Sequence, residues 1–130
     1  MNYLEQLFFE ERAVKEDSFK VGEKEFTYKL GSLTYAQQLE VDKALSDMDS
    51  ESSQWTIGHT YVGEVLSRTL IELNGYEFTS SEECRKALQN KSAILIEKLG
   101  KLQGDFEKEI RALLDGDTIE ETFSETPSQD

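Results

Sequence analysis

The chain has 130 residues, with 27 acids against 14 bases and a formal net charge of -13. That balance argues against a basic nucleic-acid-binding face or an anionic membrane surface as partner, because both need clustered Lys and Arg. A single cysteine excludes an internal disulfide, and a single histidine leaves little for metal or acid–base chemistry.

Residues 2–15 read as a short N-terminal helix. Tyr3, Leu4, Leu7, Phe8 and Val14 form its stripe, and Glu10, Glu11 and Arg12 point to water. Residues 18–30 carry the β signal. Phe19 and Val21, then Phe26, Tyr28 and Leu30, alternate with polar residues around a turn at Gly22, Glu23 and Lys24. A lone hairpin is marginal in water, so its apolar face must lie on helices or its edge must pair with another chain.

Thr34 with Gln37 matches a capping box and starts a helix that runs to about Met48. Its apolar side holds Tyr35, Leu39, Val41, Ala44, Leu45 and Met48. A polar loop, Asp49 to Gln54, follows. Ile57, Tyr61, Val65, Leu66, Thr69, Leu70 and Leu73 then recur at helical spacing, so one face of a helix is built for burial. Asn74-Gly75 closes that helix, with Gly75 as its left-handed end, and Tyr76 and Phe78 form an extended step.

Ser80 with Glu83 opens a short helix to Gln89. Residues 92–114 are the longest helical pattern, with Leu95, Leu99, Leu102, Phe106, Ile110 and Leu113 on one stripe. Gly100 and Gly104 sit inside it, either as exposed glycines or as a place for another helix to approach. Residues 115–130 are acid-rich, hold no base and contain the only proline, and read as a disordered tail. The expected fold is mainly α with a small N-terminal β-hairpin, an α+β arrangement. It divides into an N-terminal helical segment (1–15), a hairpin plus a domain of about four helices (16–114), and an acidic tail (115–130).

Candidate chemistry is sparse. His59 has neither Cys84 nor a serine placed beside it by sequence, so it reads as an ordinary helix residue. Cys84, in the polar context SEECRKAL, reads as incidental. Asp47, Asp49 and Glu51 alternate like calcium ligands but lack the mid-loop glycine and the closing glutamate, and Asp115-Gly116-Asp117 is equally incomplete. No glycine cluster cradles phosphate. The expectation is a protein that is not an enzyme and takes no cofactor or metal. No apolar run reaches the ~20 residues of a membrane span. The first residues lack the basic start of a secretory signal, so the cytoplasm is the expected location.

The order of hairpin, LTYAQQLEV helix, polar loop and VLSRTLIELNGYEF resembles the small tail assembly chaperones of tailed bacteriophages, including baseplate-hub assembly proteins. The likeness covers about Phe19 to Leu114. It implies a helper that holds a long helical tape-measure or hub protein in solution during morphogenesis, and the hairpin edge offers a place for oligomer contacts. The partner-binding residues it suggests are Phe19, Phe26 and Tyr28 from the hairpin and Leu66, Leu70 and Leu73 from the helix. Trp55, at the helix entry, suits an interface anchor or a core staple. For the other six the chain's own core is the favoured reading. Two further readings use the same sequence: a structural virion or baseplate component, and an acidic nucleic-acid mimic that inhibits a basic protein.

Overall fold

The computed structural model describes residues 2–49 and 51–125, with side chains up to residue 116. Among these residues the chain forms five helices and four strands. They are α1 Tyr3–Phe9, β1 Val14–Val21, β2 Lys24–Gly31, α2 Tyr35–Ser46, α3 Gln54–Thr69, β3 Leu70–Leu73, β4 Tyr76–Glu77, α4 Ser81–Gln89 and α5 Ala93–Glu125. Of the expected acidic tail, residues 115–125 continue α5, and residues 126–130 lie outside the described residues.

The hairpin forms, and it is longer than the sequence suggests. β1 and β2 pair antiparallel from Val14↔Gly31 to Val21↔Lys24, with Phe19 opposite Phe26 and Asp17 opposite Tyr28. Opposite residues share a face, so Phe19, Phe26, Tyr28 and Leu30 lie together and are covered by helices. The two Phe rings stack with centroids 5.0 Å apart.

The first helix stops early. Asn2 and Glu5 close a capping box, but Glu10 is already extended. Val14 and Lys15 belong to β1, not to a helix. Arg12 does not face water either. Its Nε donates to the Ser32 carbonyl at 2.9 Å and its Nη2 to the Arg68 carbonyl at 3.1 Å. These bonds tuck the α1–β1 link under the sheet, with Ala13 fully buried.

The larger correction concerns Ile57 to Phe78. The helix ends at Thr69, and Leu70 enters a strand with no loop between. Leu73 lies opposite Tyr28, and Leu70 opposite Leu30. Asn74 (φ 51) and Gly75 (φ 86) are both left-handed, which is the backbone of a two-residue hairpin turn rather than a helix end. The Asn74 N–H donates to the Thr27 carbonyl at 2.8 Å, and the Thr27 N–H donates to Asn74 Oδ1 at 3.1 Å, so the turn is pinned to β2. Helical spacing and a short buried strand look alike over four residues, and pairing with β2 decides between them. The sheet order is β1-β2-β3-β4.

Capping matches expectation at two helices. Thr34 accepts from the Gln37 amide while Gln37 accepts from the Thr34 amide. Ser80 accepts from the Glu83 amide, but the Glu83 carboxylate turns to Thr79 and Tyr76 instead of closing the box. The core gathers Tyr28, Leu30, Leu66, Leu70, Leu73, Cys84, Leu88, Leu99, Phe106 and Ile110 between the sheet and helices α3 to α5. Gly100 is where α5 meets α3. A Cβ there would lie 2.8 Å from Val62 Cγ1, whereas a Cβ at Gly104 would meet nothing within 4 Å.

Candidate functional site

The structure separates the seven candidate partner-binding residues into three groups. Leu66 (0%), Leu70 (3%), Tyr28 (5%) and Leu73 (7%) are sealed in the chain's own core, so their side chains face no partner. Phe19 and Phe26 are half-buried against that core. Trp55 stands free, with 74% of its surface exposed.

Trp55 is not alone. Ile57 and Tyr61, expected on the buried face of α3, are 38% and 44% exposed. The reason is where packing begins. Gln54 to His59 are all exposed, and full burial on α3 begins only at Val65. Those six positions make up about 9 Å of helix axis at the start of α3. Ser53 caps this end by accepting from the Thr56 amide. His59 lies edge-on to the Trp55 ring, centroids 4.6 Å apart, and orders the exposed indole.

Tyr61 lines a cleft between α2, α3 and α5. The cleft is also lined by Leu33, Gln38, Val65, Gly100, Gln103, Gly104, Glu107, Lys108 and Arg111, and holds about 200 Å³. Tyr35 sits one turn from Gln38 on α2, and it and Leu39 are 80% and 51% exposed. α2 and α3 thus carry five exposed large apolar side chains, of which Tyr61 lines the cleft. The sequence carried a signal for it: α2 places Tyr35 and Leu39 off the line of Val41, Ala44 and Met48. Phe8 and Phe9, at the end of α1, are separately exposed.

Several ionisable groups of the described residues link one helix to another. Glu64 joins Arg68 at 2.7 Å and Arg85 at 3.0 Å, and Arg68 also meets Glu40 at 2.8 Å. Burial raises the Glu64 carboxyl, but the hydrogen bonds from Arg68 and Arg85 outweigh it and hold the group below its usual range. Arg12 and Gln37 both donate to the Arg68 carbonyl, satisfying the C-terminal end of α3. Cys84 is fully buried, and burial pushes its thiol up to about 12, which removes it as a nucleophile at neutral pH. Among the described residues no three His, Cys, Asp or Glu side chains gather to hold a metal ion. No described helix is long and apolar enough to cross a membrane.

No family model, curated protein or solved structure matches this chain.

Proposed function

We propose that this chain is a non-enzymatic assembly chaperone acting in the cytoplasm, which binds and solubilises a long helical tail protein, a tape-measure or hub protein, during phage morphogenesis. The phage assignment rests on the resemblance carried by the hairpin, the LTYAQQLEV helix and VLSRTLIELNGYEF. The observation that carries the binding role is the exposed set Tyr35, Leu39, Trp55, Ile57 and Tyr61 on α2 and α3, with Tyr61 also lining the α2–α3–α5 cleft. Large apolar side chains held out by a folded scaffold suit an amphipathic partner helix, whose apolar face a groove can cover. Trp and Tyr are favoured for such contacts because they supply large area on few rotatable bonds. The acid surplus of the rest of the surface keeps a complex with a greasy partner soluble.

The test is coexpression with the long helical tail protein. The wild-type chain should raise that protein's soluble fraction and copurify with it. The double variant Trp55→Asp, Tyr61→Asp should lose both effects while keeping its own circular dichroism, since both side chains lie outside the core. Full rescue by that variant would remove the proposed surface.

A further inference from the structure

Among the described residues β1 is an outer strand, paired on one side with β2 and open on the other. Register fixes which backbone groups face outward. Val21 and Lys24 flank the two-residue turn, so Val21, Phe19, Asp17 and Lys15 aim their N–H and C=O groups at β2. Val14, Glu16, Ser18 and Lys20 aim theirs away. Two hydrogen bonds agree: the Val14 N–H donates to Gln6 Oε1 at 2.9 Å and the Ser18 N–H to Asp17 Oδ1 at 2.8 Å. The side chains of Glu16 and Lys20 are exposed.

We propose that this edge pairs with β1 of a second copy of the chain, antiparallel about a two-fold axis at Ser18, joining two sheets into one. Charge selects that register. It places Glu16 opposite Lys20 of the second copy, and the reverse, on the outer face. Within one chain Glu16 already faces Lys29, 3.6 Å apart, and Lys20 faces Glu25. The join therefore produces rows Lys29, Glu16, Lys20, Glu25 whose sign alternates across four strands. On the inner face Asp17 arrives beside Phe19 of the second copy, whose ring carries its Lys98 Nζ 5.1 Å from the centroid. An acid meets a base there too.

The neighbouring registers lack this match. A two-fold at Asp17 sets two Asp17 carboxylates against each other, and one at Phe19 leaves Glu16 opposite Gly22. Opposite charges directly across a strand pair stabilise it and like charges destabilise it. Pairing Glu16 with Lys20, Ser18 with Ser18 and Lys20 with Glu16 adds about six backbone hydrogen bonds. The Ser18 amide exchanges its Asp17 cap for one of them. Asp17 is released toward Lys98. The dimer does not depend on the chaperone role, and its test is separate.

Sedimentation equilibrium of the full chain in about 0.15 M salt, where long-range repulsion between two acidic chains is screened beyond roughly 8 Å, reads the outcome. The wild type should be a dimer. Lys20→Glu and Glu16→Lys should each weaken self-association by about tenfold or more, because both symmetric pairs become like-charged. Mixing the two variants should restore a one-to-one dimer, since every cross-pair is again opposite in sign. Ser18→Pro removes the central outward N–H and no inward one, so it should give a folded monomer by circular dichroism. A wild type that stays monomeric at high micromolar concentration overturns the proposal. So does a dimer indifferent to Lys20→Glu, or an edge occupied only by a strand of some other protein.

Discussion

Cys84 shows how far a residue's local sequence can mislead. Its neighbours are Glu82, Glu83, Arg85 and Lys86, yet it is completely buried, one turn from buried Leu88 on the inner face of α4. Its Sγ–H is aimed at the Leu66 and Leu70 carbonyls at 3.6 and 3.8 Å, where α3 passes into β3. A thiol reagent at pH 8 should leave the native protein unlabelled and label it once urea unfolds it. The pH dependence follows in sign. The unfolded thiol titrates near 9.0 and the folded one near 12, so its contribution is whole below 9.0 and declines as pH rises through that window. The decline is about 1.4 kcal/mol per pH unit at most. Urea midpoints from pH 8 to 10 should fall more steeply for the wild type than for Cys84→Ala. Equal slopes would mean that the thiol is not sealed.

At the scale of elements, the strand alternation, the Thr34 and Ser80 caps and the α5 stripe were legible because each rests on short-range geometry. Phe19, Phe26, Tyr28 and Leu30 share a face by period alone. Leu70 to Leu73 were not legible as a strand, because their spacing fits a helix and only pairing with β2 separates the two. Asn74-Gly75 did carry the hairpin signal, but a glycine after an apolar helical run also signals a helix end. The exposed surface was hidden for a different reason. The stripe from Ile57 to Leu70 is continuous in sequence, while full burial along it begins only at Val65. Of the residues tied to partner binding, only Trp55 combined a sequence signal with full exposure.

The two glycines of α5 offer a test at this scale. Gly100→Ala must push Val62 aside, so it should destabilise the fold by about 1–3 kcal/mol. Gly104→Ala meets open space and should stabilise it by about 0.5–1 kcal/mol through helix propensity. Paired chemical denaturation curves check both. Equal effects would mean that α3 and α5 do not touch at Gly100.

For the whole molecule the division is between a sealed interior and an exposed rim. Leu66→Asp or Leu70→Asp would bury an unpaired carboxylate among Leu30, Leu99 and Phe106, and each should unfold the chain at 25 °C. Trp55→Asp and Tyr61→Asp should change stability by about 0.5 kcal/mol or less, the usual range for surface substitutions. Thermal melts of the four variants separate the classes. A cooperative melt from Leu66→Asp would contradict the core.

One junction ties interior to rim. Thr69 hands directly to Leu70, so the helix bearing Trp55 and the strand beside Leu30 share a backbone without slack. A partner that gripped the indole would find no loop at this junction to absorb its pull. Force applied at that tip travels down a rigid rod into the middle of the sheet, and a partner that twists the rod would feel the resistance of the entire fold.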